Sequence, residues 1–134
     1  MKHLITAASL ALLATPALAG DPAAGEKIFA KCKACHMATA PDGTVVQKGG
    51  KVGPNLWGVI GRQIGAAEGF SYGASIVAAG ADGTLWDEAM LAAYVADPTA
   101  WLAEKTGDSA ARSKMSFKLK DGGEDIAAYL ATLK

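Results

Sequence analysis

The sequence predicts an all-helical fold whose middle is filled by something other than its own side chains. Three observations lead there. Apolar residues recur at helical spacing near both ends of the chain. No alternating stretch is long enough to demand a sheet. Between them, residues 38–70 read as loop, with APDG, KGGKVGPN, GVIGR and GAAEGF following one another. A small domain with about 30 residues of glycine-rich loop lacks an obvious core of its own.

The elements follow in order. Residues 1–19 read as a secretory signal: Lys2 and His3 make a basic start, residues 4–14 carry no charge, and Ala17-Leu18-Ala19 is an A-x-A cleavage site. The apolar run is too short for a membrane span, which takes about 20 residues. Cleavage after Ala19 is expected to leave 20–134 as one exported domain with no membrane span. Asp21-Pro22 then opens a helix, as an N-cap followed by proline in the first turn. Gly25, Ile28, Phe29 and Cys32 fall on one face of it. A glycine on an apolar face signals that another backbone comes close. After the loops, a short helix is expected over 71–79, stopping at Gly80. Asp87 caps the next helix, with Met90, Leu91, Tyr94 and Val95 inward. Asp97-Pro98 ends that helix and starts another, which turns Trp101 and Leu102 inward and stops near Gly107. The last helix is expected to open on a capping box, Asp121-Gly-Gly-Glu124, and to bury Ile126, Tyr129, Leu130 and Leu133.

The chemistry concentrates in KCKACH, residues 31–36. It holds the only two cysteines, Cys32 and Cys35, with His36 directly behind them. A disulfide between them would close a loop too small to staple anything. A thioredoxin-type pair needs a preceding strand and a βαβ context, and neither is present. A zinc site needs a fourth ligand, yet the only other histidine is His3, in the signal. C-x-x-C-H is the attachment motif of c-type haem: each thiol adds to one vinyl group, and His36 turns its ring beneath the iron as an axial ligand. One haem c per chain, held through Cys32 and Cys35, is the expected cofactor.

Charge adds a second pattern. The net charge is zero, and about −1 once Lys2 leaves with the signal, which argues against a general nucleic-acid binder. Residues 27–62 carry Lys27, Lys31, Lys33, Lys48, Lys51 and Arg62 against Asp42 alone. Residues 82–108 are acidic, with Asp82, Asp87, Glu88, Asp97, Glu104 and Asp108 against Lys105, and Arg112, Lys114, Lys118 and Lys120 follow with no acid. Two basic segments bracket an acidic one, the pattern either of a positive face or of ordinary solvated charge.

GEKIFAKCKACH, GPNLWGVIGR, GFSY, Trp86, AAYVADP, KMSFKL and DIAAYLATL stand in an order that resembles the class I cytochromes c, and most closely their bacterial cytochrome c2 subgroup. The resemblance runs over residues 20–134. It implies helices and long loops wrapped around the haem, with the terminal helices crossing where Gly25 and Phe29 meet Tyr129 and Leu130. Cytochromes of the four-helix-bundle class fit less well, because their C-x-x-C-H lies near the C-terminus. Of the four methionines, Met1 leaves with the signal, Met37 adjoins His36, and Met90 fits a helix stripe. Met115 sits in a polar loop free to approach from the other side, and the family pattern places the second iron ligand there. The resemblance further implies that Pro54 accepts the second ring N–H of His36. It places Tyr72, Trp86 and Arg62 at a haem propionate, and Tyr94 beside the methionine sulfur. The pocket asparagine of some relatives corresponds to Ile76. The stretch EKTGDSAARS makes the loop before Met115 longer than in mitochondrial members.

The function so implied is that of a soluble, monomeric periplasmic carrier, cycling iron between Fe(II) and Fe(III) between membrane complexes, and not an enzyme. A cytochrome bc-type complex is the expected donor. A reaction centre, terminal oxidase or periplasmic reductase is the acceptor, docked by a lysine face of Lys31, Lys33, Lys48, Lys51, Lys114, Lys118 and Lys120. The alternative is a haem enzyme or gas-binding protein with an open sixth position.

Overall fold

The computed structural model describes residues 19–134; the body of the expected signal, residues 1–18, lies outside them. Five helices in chain order frame the molecule: α1 (Pro22–Ile28), α2 (Ala74–Ala79), α3 (Glu88–Ala96), α4 (Pro98–Thr106) and α5 (Gly123–Ala131). The helix-dominated architecture agrees with the expectation.

α1 starts as its sequence dictates. The Asp21 carboxylate accepts the Ala23 N–H at 2.9 Å, and Pro22 supplies a preset φ without a wasted donor. The helix tightens into a 3₁₀ turn at Phe29–Lys31, which hands the chain to Cys32. α1 and α5 cross closely. A Cβ on Gly25 would overlap the Asp125 carbonyl and stand 2.7 Å from the Tyr129 Cβ. Phe29, fully buried, meets the Tyr129 ring edge-on at 6.1 Å between centroids. Burying such a ring is worth about 1.5–3 kcal/mol.

α5 does not open on the expected capping box. Its N-cap is Gly122, left-handed at φ 84°, with no side-chain cap. The two glycines inside the box are needed for packing instead. A Cβ on Gly122 would strike the Ile28 side chain, and one on Gly123 would lie 3.0 Å from the Ala92 carbonyl of α3. Glu124 and Asp125 still place negative charge in the first turn, where the helix dipole favours it. Asp125 also accepts the Asp21 N–H at 2.8 Å, tying the two termini together.

α3 and α4 share one residue. Asp97 ends α3, and its carboxylate caps α4 by accepting the Ala100 N–H at 3.1 Å. Leu91, Tyr94 and Leu102 are buried as expected, while Met90, Val95 and Trp101 are half-buried against them. Gly107, at φ 69°, stops α4. α2 begins three residues later than expected, behind a Gly73 N-cap. Tyr72 stays outside this helix, and its hydroxyl accepts the Ala67 N–H at 3.2 Å.

One element was not legible as a strand. Residues read as loop form an antiparallel pair, β1 (Ala38–Thr39) with β2 (Val45–Gln47). Strands of two and three residues carry no readable alternation. The pair matters because Gln47, buried, donates from Nε2 to the Tyr129 hydroxyl at 2.7 Å, which pins the hairpin onto α5.

The crossing yields a direct test. Gly25→Val is expected to cost about 1–3 kcal/mol through overpacking. Guanidinium unfolding should show a lower midpoint at unchanged slope; an unmoved midpoint would mean that the helices separate freely at this point.

Candidate functional site

The last turn after α1 is wound tightly enough to gather the motif. Cys32 N–H donates to the Phe29 carbonyl at 2.8 Å, and the N–H groups of Cys35 and His36 both return to the Cys32 carbonyl, at 3.1 and 2.9 Å. Both cysteines and His36 line one cavity of about 560 Å³.

His36 is held on two sides. Its Nδ1 lies 2.8 Å from the Pro54 carbonyl. A carbonyl only accepts, so Nδ1 carries the proton and Nε2 keeps its lone pair. That is the tautomer a metal ligand requires. Burial pushes the imidazole below its ordinary pKa, against the opposing pull of the Pro54 bond, so the ring is neutral at physiological pH. One ring face rests on Gly53, where a Cβ would stand 2.7 Å from Nδ1 and 2.8 Å from Nε2. Gly53 is a site residue that sequence reasoning missed; its signal was its place directly before Pro54.

The thiols speak against redox chemistry of their own. Burial, and then the neighbouring Cys35, push Cys32 up to about 11, with Lys31 pulling weakly the other way. A catalytic C-x-x-C depresses a thiol to favour the thiolate. Here the environment does the reverse.

The structure describes three methionines, and Met115 alone among them lines the cavity with His36. Met37 sulfur accepts the Thr39 hydroxyl at 3.3 Å. Met90 lies at a separate surface hollow of about 250 Å³, beside Trp101, Glu104 and Lys105. Thioether and imidazole therefore face one space from segments far apart in the chain.

Pro54, Arg62, Tyr72, Trp86 and Tyr94 also line this cavity, as does Ile76. Arg62 and Trp86 are brought side by side by backbone pairing: Trp86 N–H donates to the Arg62 carbonyl at 2.9 Å and Gly61 N–H to that of Trp86 at 2.8 Å. Trp86 packs at a tilt against Tyr94 and Trp101, each at 5.2 Å between centroids. Arg62 Nη1 donates to the carbonyls of Asn55 (3.0 Å) and Trp57 (3.3 Å). Its Nε is buried with no partner, the one such side-chain atom among the described residues. An orphaned cationic donor at the wall of a cavity calls for an anionic acceptor inside it. The residues thus fit a haem: two thiols for its vinyl groups, an imidazole and a thioether for its iron, an arginine for a carboxylate, and apolar walls such as Val59, Leu91 and Leu102.

Ser113 was also missed. Its hydroxyl accepts the Met115 N–H at 3.0 Å and lies 3.3 Å from the Tyr94 hydroxyl. Its signal was a small polar residue two places before the candidate ligand.

The lysine face needs one correction. All seven expected members are exposed, and Lys31 and Lys114 border the cavity. Lys118, however, is paired with Asp97 at 2.7 Å, so the acidic stretch reaches into this face at that point. Lys105 meets Asp82 at 3.5 Å.

No protein-family model matches the chain. It is 56% identical to cytochrome c2 of Rhodobacter capsulatus over 135 residues, covering 99% of this chain and 98% of that protein. It is 57% identical to cytochrome c-550 of Paracoccus versutus over 136 residues, covering 98% and 88%. Among solved structures, cytochrome c2 of Rhodobacter capsulatus superposes with a TM-score of 0.83 at 57% identity, over 84% of this chain and 97% of that one. Ferric cytochrome c-550 of Paracoccus versutus gives 0.82 at 56%, over 85% and 98%.

The Lys118 pair carries a pH dependence. The Lys118 ammonium, and then the Ala100 N–H, hold the Asp97 carboxyl below its ordinary range. A lowered folded pKa stabilises the fold above the unfolded value, about 3.9, and the benefit fades as pH falls through the lowered one. Asp97→Asn is expected to melt earlier than the parent at neutral pH and to converge with it in strong acid. Equal melting at both pH values would show that the pair contributes nothing.

Proposed function

The chain belongs to the class I cytochromes c, in their cytochrome c2 subgroup, and on that premise we propose that it is a periplasmic one-electron shuttle between membrane-bound complexes of a photosynthetic or respiratory chain. Its cofactor is haem c, and its general role is that of a haem electron carrier. The proposal adds the export step, cleavage after Ala19 to leave residues 20–134 as one monomeric domain, and the absence of catalysis of its own. Among the described residues no helix is long and apolar enough to cross a membrane.

One observation carries the reading: a neutral imidazole and a thioether, His36 and Met115, share a cavity with the two thiols of C-x-x-C-H. The haem supplies an iron that gains or loses one electron. The chain's residues do the rest. Cys32 and Cys35 anchor the group. Pro54 holds the His36 proton on Nδ1 and so aims Nε2. Met115 offers a soft sulfur, which favours the reduced state. Arg62 offers its free Nε to a propionate, with Tyr72 and Trp86 beside it. The largely apolar wall disfavours added positive charge. With His36 and Met115 both on the iron, no position would be left for oxygen or peroxide, which sets the carrier reading above that of an open-site enzyme or gas binder.

The docking face is read from exposed charge. Lys31, Lys33, Lys48, Lys51, Lys114 and Lys120 are exposed, and Val52 and Phe117 expose apolar surface at the cavity wall. A cationic rim around an apolar centre steers acidic partners and releases them easily. The donor is of the cytochrome bc type; the acceptor is a reaction centre, terminal oxidase or periplasmic reductase.

Visible spectra test the ligand pair. The oxidised protein should be low-spin with a far-red sulfur-to-iron band, and the reduced protein should ignore carbon monoxide. Met115→Leu should lose the band and bind carbon monoxide. A parent protein that binds it readily would move the function to gas or peroxide chemistry. The docking face is tested by stopped-flow oxidation with acceptor-containing membranes. The second-order rate should fall steeply with salt, and Lys31→Glu with Lys114→Glu should slow it at low salt. A salt-independent rate would remove the lysines from docking.

A further inference from the structure

β2 is built against its own pattern. Val45 and Val46 are 57% and 41% exposed, while Gln47 is 8% exposed. The valines face solvent and the amide faces the interior, the reverse of what apolar burial would select. Tyrosine and tryptophan apart, Gln47 is the one polar or charged side chain that is buried among the described residues. A buried amide costs stability unless it is bonded, and here Nε2 donates to the Tyr129 hydroxyl of α5 at 2.7 Å. With no apolar side chain of β2 buried, this bond is what fixes the strand on α5.

The segment that β2 leads into makes that position matter. Residues 48–56 have no regular secondary structure and run along the C-x-x-C-H motif as a strap. Gly50 N–H donates to the Lys33 carbonyl at 2.9 Å, Gly53 N–H to that of Cys35 at 2.7 Å, and Leu56 N–H to that of Met37 at 2.9 Å. A Cβ on Gly49 would overlap the His36 carbonyl, and one on Gly50 the Ala34 carbonyl. The strap returns to the hairpin at its far end: Asn55 accepts the Thr39 N–H of β1 at 3.0 Å and donates to the Thr39 carbonyl at 2.8 Å. Both ends of the strap are thus tied to the hairpin. Between them lie Gly53 and Pro54, which hold the His36 ring.

We propose that Gln47 is a positioning residue for His36: its bond to Tyr129 sets the hairpin, and with it the strap that presents Gly53 and the Pro54 carbonyl to the imidazole. The inference rests on the reading of His36 as iron ligand. A buried bond that only stabilised the fold would be replaceable by apolar contact, because removing both partners together leaves no polar group unsatisfied. A positioning bond is not replaceable in that way, since apolar contact has no direction.

The experiment uses the full haem-loaded protein in its reduced, diamagnetic form. NMR follows solvent exchange of the Gly50 and Gly53 N–H groups and of His36 Nδ1–H. Trp86 N–H, bonded to the Arg62 carbonyl outside the strap, is the reference, and guanidinium unfolding runs alongside. Tyr129→Phe removes the hydroxyl and keeps the ring; Gln47→Met removes the amide and nearly keeps the shape. Each single variant leaves one buried polar group unpaired and should unfold at lower denaturant. The double variant should recover most of that loss. Its strap should not recover: one hydrogen bond of ordinary net worth corresponds to roughly a five-fold change in an equilibrium. In the double variant all three strap protons should therefore exchange roughly five-fold faster than in the parent, with Trp86 at the parental rate. Parental exchange of the strap protons would overturn the proposal, as would an equal acceleration of Trp86. A parent whose His36 ring protons lack the ring-current shift of a group lying over the haem would overturn the ligand reading itself, a result visible before any variant is made.

Discussion

A helix crossing with no side chain between the backbones holds the rest of this structure in place. Gly25 lets α1 lie against Asp125 and Tyr129 of α5. From that contact the motif turn leaves α1 at a fixed position, and α5 offers Ile126 and Leu130 as cavity wall. α3 packs on α5 through Ala92 against Gly123 and supplies Leu91, Tyr94 and Val95 to the same wall. The Gln47–Tyr129 bond adds the hairpin behind the motif. These walls are referred to one helix pair.

The two candidate ligands are supported by different means, and the difference suits their chemistry. His36 is held by backbone: a carbonyl at 2.8 Å and a glycine face with no room to spare. Such support leaves the imidazole one orientation and one tautomer. Met115 is held by side-chain hydroxyls and by an irregular segment pinned at intervals to three helices. Hydroxyl bonds are individually modest, so this side is the softer of the two.

Electrostatics divides the surface. Lys118 and Lys105 are neutralised locally by Asp97 and Asp82. The remaining lysines near the motif and before Met115 stay solvated, and their long-range field is available for steering. Charges separated in the sequence are thus partly brought together by the fold, since Lys118 of the basic stretch meets Asp97 of the acidic one.

The sequence by itself determined the cofactor chemistry and the helix order. C-x-x-C-H, the caps at Asp21, Asp87 and Asp97, and the helical spacing of Phe29 and Leu130 are local codes, whose physics operates within a few residues. Tertiary structure alone decided what depends on distant segments meeting. It moved the N-cap of α5 to Gly122, because Ile28 and Ala92 demand space that a side chain would fill. It formed a hairpin too short to show alternation, because Gln47 finds Tyr129 only in the folded chain. It paired Lys118 with Asp97, set Gly53 under the His36 ring, and placed Ser113 between Tyr94 and Met115. None of these contacts leaves a periodic trace in sequence, since each is a meeting of two single residues brought together by the fold.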